Sequence, residues 1–130
     1  MKLFLRKLLR PGFSEEQKQM DARIRRAVEA WVRTKGYIKP MATVEEIAAD
    51  VGVHPDQLGS YIRRVSGQSL LSWRKSLRVA EAKFLLVEYP DLPFSSISLM
   101  VGIEDKSNFR KQFTEETGMT PRQWREKNGK

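Results

Sequence analysis

The sequence predicts an all-α chain of about seven helices, with two helix-turn-helix subdomains joined by a long linker helix. Apolar residues recur at three- and four-residue spacing along most of the 130 residues, and no segment alternates as a strand would. Capping residues and glycines punctuate those periodic stretches. One pattern is also written twice. Ile47, Ala48, Val51, Gly52 and Val53, then Leu58, Ile62, Gly67, Ser69 and Trp73, return as Ile97, Ser98, Val101, Gly102 and Ile103, then Phe109, Phe113, Gly118, Thr120 and Trp124. The offset is 50 up to the glycine and 51 from Leu58/Phe109 onward, so the copies differ by one residue in a turn. Two copies are too few for a stacked solenoid, and each reads as a short helix, a turn and an anchored second helix.

Pro11-Gly12 separates residues 1–13 from the domain at 14–130. Ser14 and Gln17 form a capping box for a first helix running to about Lys35, with Met20, Ile24, Ala27, Val28 and Trp31 as its buried stripe and Gly36 as its C-terminal cap. Thr43 and Glu46 form a second capping box, opening the first subdomain at about 43–67. Its second helix is bracketed by Pro55 and Gly67. Ser69 opens the linker helix, about 69–89, whose seam is read as Leu70, Trp73, Leu77, Ala80, Phe84 and Val87. Pro90 and Pro93 end it. The second subdomain, about 95–118, has helices from Ser95 to Val101 and from Asp105 to Thr117. Thr120, Pro121 and Gln123 start a last helix carrying Trp124. Both Trp73 and Trp124 are expected to pack rather than stack on bases.

The formal net charge is +8, which favours polyanionic partners: nucleic acid first, anionic membrane second. There is no cysteine, hence no disulfide framework and no thiolate site. The single His54 cannot build a zinc site, and with Pro55 beside it is expected at a helix start. Neither a Gly-rich phosphate loop nor a nucleophile elbow occurs, so no enzyme, cofactor or metal is expected. Residues 1–13 interleave Leu and Phe with Lys2, Arg6, Lys7 and Arg10. They are too short to span a bilayer and read as a basic hydrophobic arm, suited to a membrane surface, a juxtamembrane position, a partner, or no fixed structure.

In a helix-turn-helix the first helix crosses the nucleic-acid backbone and the second enters the major groove. Leu58 and Ile62, like Phe109 and Phe113, pin each second helix inward. The faces opposite carry Asp56, Gly59, Ser60, Arg63 and Arg64 in the first copy, and Ser107, Asn108, Arg110, Lys111 and Thr114 in the second. The candidate DNA-binding residues are the first set together with Lys106, Ser107, Asn108, Arg110 and Lys111 of the second copy. Arg and Lys donate to guanine and Asn bridges adenine, so the second set suits base reading. In the first set Asp56 repels phosphate and Gly59 has no side chain. That head is expected to work by close approach and by phosphate contacts from Arg63 and Arg64.

The stretch from about Thr43 to Lys127 resembles the DNA-binding domain of AraC/XylS-type bacterial transcription regulators. The likeness is densest in Val101-Gly102-Ile103, in Ser107 through Phe113, in Gly118-Met119-Thr120-Pro121 and in Trp124-Arg125, and it extends to Trp73-Arg74, Leu77-Arg78, Ala82-Lys83 and Leu85-Leu86. The family often has a basic residue at Ser60, Ala at Ser98 and an aromatic at Ile103; the last two are core-compatible exchanges. The resemblance implies double-stranded DNA as partner, RNA polymerase as the protein acted upon, and a cytoplasmic location. Most members of the family also carry a separate sensing or dimerising domain. The chain is therefore expected to be either a stand-alone regulator or a fragment whose sensor lies upstream, the arm suiting the exit from a membrane-embedded sensor. Two other readings stand beside it: a helical protein-interaction module with a basic face, and a membrane-surface-associated regulator fragment. A linker from Leu70 to Tyr89 is roughly 30 Å long at 1.5 Å per residue. That is close to the about 34–36 Å between successive groove faces, so one chain is expected to read an asymmetric site.

Overall fold

Seven α-helices follow one another in the computed structural model, which describes residues 14–129. They are α1 (Glu15–Arg33), α2 (Val44–Val51), α3 (Pro55–Ser66), α4 (Leu70–Glu88), α5 (Phe94–Met100), α6 (Lys106–Thr117) and α7 (Pro121–Asn128), with a short 3-10 turn at Gly36–Ile38. No strand occurs among the described residues. The arm at 1–13, with its expected membrane or partner role, lies outside them.

The starts follow from the capping chemistry. Ser14 with Gln17, and Thr120 with Gln123, make complete capping boxes. Thr43 accepts the Glu46 N–H at 3.1 Å, but its hydroxyl pairs with the Glu46 carboxylate, so only half of the expected box forms. His54 is the N-cap of α3, its Nδ1 accepting the Asp56 N–H at 3.2 Å, with Pro55 in the first turn. Asp105 caps α6 through the N–H groups of Ser107 and Asn108.

The chain forms two compact units. Among the described residues, the first comprises those from Ser14 to Gly36 together with Ala42–Leu70; the second comprises Tyr37–Met41 and those from Leu71 to Gly129. In the first unit α1, α2 and α3 enclose Ile24, Val28, Trp31, Ile47, Ala48, Leu58 and Ile62, all buried. In the second, Val79, Ala82, Leu85 and Leu86 of α4 pack with Ile97, Val101, Ile103, Phe109 and Phe113. The repeat therefore survives into three dimensions: Ile47 and Ile97, Leu58 and Phe109, and Ile62 and Phe113 are each at most 1% exposed. Removing a Phe from such a place costs about 3–5 kcal/mol.

Two sequence expectations need correction. Gly36 is not the cap of α1. Thr34 ends that helix and Lys35 takes the left-handed conformation at φ 58°. Gly36 is needed because a Cβ there would lie 2.1 Å from Trp31 Nε1. The indole itself donates to Asp50 at 2.7 Å, tying α1 to α2.

The seam of α4 is also displaced. Ala80 is exposed and Phe84 is 50% exposed, whereas Arg78, Val79, Ala82, Leu85 and Leu86 are buried. Arg78 explains the shift. Its Nε donates to the Tyr37 carbonyl at 2.6 Å and its Nη2 to the Lys39 carbonyl at 2.7 Å. The neighbouring Arg74 donates to the Met41 carbonyl. These guanidiniums hold residues 37–41 on α4, so a charged column faces inward where an apolar pattern would put it outside.

Candidate nucleic-acid interface

Each copy of the repeat closes its turn through backbone geometry. Gly52 (φ 88°) and Gly102 (φ 85°) both occupy the left-handed region, which an L side chain disfavours by roughly 1–2 kcal/mol. In the second turn the buried Ser98 hydroxyl donates to the Ile103 carbonyl, so serine in place of alanine brings its own partner into the core. With α3 and α6 anchored by their buried residues, the opposite face of α6 is exposed, while that of α3 borders α1.

On α6, Lys106, Ser107, Asn108, Arg110 and Lys111 are all exposed. The Ser107 and Asn108 backbone N–H groups are bound to Asp105, which leaves their side chains free to project from the first turn. Neither Arg110 nor Lys111 makes an ion pair among the described residues. The face is cationic, carries one amide with both donor and acceptor, and has no acid from Lys106 to Lys111.

The face of α3 differs in kind. Asp56, Ser60 and Arg63 are exposed, while Gly59 and Arg64 are half-buried. A Cβ at Gly59 would meet nothing within 4 Å. Asp56 and Ser60 line a cleft of about 550 Å³ between α1 and α3, where Glu16 and Asp21 add further carboxylates. Arg64 is turned into this cleft: its Nη1 and Nη2 donate to the two Asp21 oxygens at 2.6 and 2.9 Å. The Asp21 hydrogen bond is the main reason its pKa is raised. Of the first set, Arg63 is thus the cation that projects freely, and Arg64 is held by α1. The ion pair joins residues 43 apart, which no local pattern reveals.

Trp124 is half-buried beneath α6. Its ring meets Phe113 edge-on at 6.1 Å between centroids, and the Lys83 ammonium lies 4.9 Å from its centre. Trp73 is likewise half-buried. Burial raises the pKa of Tyr37 to about 12, with the Glu81 carboxylate adding to the shift; the Tyr37 hydroxyl donates to Glu81 at 3.1 Å. No group of three or more metal-ligand candidates forms among the described residues, and no helix there is long and apolar enough to cross a membrane. Missed at the sequence level was the cationic cleft beside α6, to which Arg122 of α7 contributes. The repeat gives no signal for it, since Arg122 stands where the first copy has the apolar Leu71.

A family model described as a helix-turn-helix domain matches residues 47–127, well over half of the chain. The chain is 40% identical over 68 residues to the HTH-type transcriptional activator RhaR of Salmonella arizonae. That alignment covers 52% of this chain and 24% of the relative, so the chain spans about a quarter of the length of the curated relatives it matches. The fold is similar to the C-terminal domain of AraT, a response regulator from Geobacillus stearothermophilus, with a TM-score of 0.71 and 25% identity over 82% of this chain and 86% of that one. It is also similar to the DNA-binding domain of the global transcriptional factor AdpA, solved in complex with a target DNA, with a TM-score of 0.67 and 20% identity over 80% and 90% of the two chains. With the twice-written motif, the buried anchors and the family match in agreement, the chain belongs to the AraC/XylS-type helix-turn-helix DNA-binding domains.

Proposed function

We propose that residues 14–130 are the sequence-specific, double-stranded DNA-binding part of a transcription regulator, and that α3 and α6 are its two major-groove reading helices. The first reader lies within the subdomain at about 43–67 and the second within that at about 95–118. The observation that carries this is the outward face of α6, with Asn108, Arg110 and Lys111 exposed and no acid among them. Asn108 and Arg110 are the proposed base readers, with Ser107 beside them; Lys106 and Lys111 are proposed for phosphate or guanine. On α3 the proposed contacts are Arg63 to phosphate and close approach of the backbone at Gly59, flanked by Asp56 and Ser60. The same role for Arg64 requires that it leave Asp21.

The AdpA domain was solved on a target DNA, which supports extending duplex binding to this fold in the present chain. No chemical step is involved. The proposed output is recruitment or obstruction of RNA polymerase, the partner proposed for the full-length regulator in the cytoplasm.

Quantitative gel-shift titration tests the reading, using a duplex selected by the protein and a scrambled control. Asn108→Ala or Arg110→Ala should cost about 1–3 kcal/mol on the selected duplex and relax preference at one base. Equal affinity of the unaltered protein for both duplexes would refute sequence-specific reading.

A further inference from the structure

We infer that a cleft on the flank of the second reading helix holds a backbone phosphate of the bound DNA strand, with Arg122 of α7 as its principal contact. This rests on the reading of the chain as a duplex binder. The cleft measures about 210 Å³, and its walls include Phe94, Lys106, Arg110, Thr120 and Arg122, with no carboxylate among the lining residues. Three cations from two helices border this volume, which suits a phosphate group; Lys106 and Arg122 are assigned to it, and Arg110 keeps its proposed base. None of the three makes an ion pair among the described residues. A cluster of like charges with no acid between them is held apart from its natural counter-ion, and an entering anion relieves that repulsion.

The position of Arg122 is prepared. Its guanidinium carbon lies 5.4 Å from the Phe94 ring centre, and that of Arg125 lies 4.7 Å from the same ring. Arg125 is itself anchored, Nε donating to the Leu86 carbonyl at 2.9 Å and Nη2 to the Tyr89 carbonyl at 3.1 Å. One arginine therefore fixes the ring and the ring orients the other, whose fork of N–H donors stays open for two phosphate oxygens. The Thr120 hydroxyl accepts the Gln123 N–H at 3.1 Å and keeps its own proton to donate.

Location selects DNA as the source of the phosphate. Phe94 is the first residue of α5, the helix that in this motif crosses the backbone, and Lys106 and Arg110 lie on the reading helix itself. With α6 in the groove as proposed above, a bordering strand would pass this corner. The first copy has Leu71 in place of Arg122, so the clamp belongs to the second reader alone.

The test compares the unaltered chain, Arg122→Ala and Arg122→Lys on selected and scrambled duplexes between low and moderate salt. Arg122→Ala should make the slope of log affinity against log salt shallower by about 1. Affinity should fall about fivefold at 0.15 M salt and by the same factor on both duplexes, as one phosphate contact predicts. Arg122→Lys should retain most of the slope. Ethylating a single phosphate beside the second half-site should weaken the unaltered chain and leave Arg122→Ala indifferent. An unchanged slope for Arg122→Ala overturns the assignment, as does a loss confined to one sequence, which would make Arg122 a base contact. Failure of the unaltered chain to bind any duplex removes the parent reading instead, and this one with it.

Discussion

Gly52 and Gly102 occupy the same place in the two copies of the repeat, yet alanine should affect them unequally. Both have φ near +85° to +90°, so Ala at either carries the left-handed cost of roughly 1–2 kcal/mol. At Gly52 the added Cβ meets nothing within 4 Å, and that cost is the whole effect. At Gly102 it would lie 2.3 Å from the Ile38 carbonyl oxygen and 3.0 Å from Arg78 Nη2. The oxygen is backbone and cannot swing aside. Residues 37–41 must move off α4, loosening the Arg78 bonds to the Tyr37 and Lys39 carbonyls. Overpacking of this kind adds about 1–3 kcal/mol, so Gly102→Ala should total about 2–5 kcal/mol against about 1–2 for Gly52→Ala. Urea titrations followed by far-UV circular dichroism measure both. Equal losses within about 0.5 kcal/mol, smaller than the expected overpacking cost, would refute the close-approach argument. The collision at Ile38 would then have to be relieved without strain.

Three further outcomes follow from the same geometry. Trp124→Ala should cost about 3 kcal/mol, at the low end for a tryptophan because the ring is only half-buried, and Trp124→Phe should cost less; a variant that melts like the parent but no longer binds DNA would make the indole a nucleic-acid contact. Gly59→Ala should raise stability by about 0.5–1 kcal/mol, since its Cβ enters open space on a helix, while weakening duplex binding through the lost close approach; unchanged binding would remove Gly59 from the interface. The raised pKa of Tyr37, about 12, makes its contribution to stability fully present below about pH 10, the unfolded value, and lost as pH rises towards 12. Tyr37→Phe should therefore flatten that alkaline loss, and an identical pH profile in the two proteins would contradict it.

The repeat made much of this fold legible. Apolar anchors at i and i+4 are buried in both copies, and the glycines take positive φ where a short helix must turn into a second one. Ser14/Gln17 and Thr120/Gln123 mark helix starts because a capping box is a local device, complete within four residues. What escaped the sequence is non-local. Arg78 is buried because carbonyls 39 and 41 residues away receive it, so the inward face of α4 lies one column away from the apolar period, and Phe84, which that period turns inward, is half exposed. Gly36 answers to the Trp31 ring rather than to a helix end, and Arg64 to Asp21 across 43 residues. At the candidate site, exposure of the α6 residues followed from the helical period once Phe109 and Phe113 were assigned inward. The Arg122 cleft needed the folded neighbourhood of α5, α6 and α7.

Selection of bound sites from a random duplex pool tests the central claim most directly. The unaltered chain should enrich a site with two separate blocks of preferred bases, and the same selection with Arg110→Ala should lose preference within one block while keeping the other. A site with a single block would contradict two reading helices, and no enrichment at all would contradict base reading.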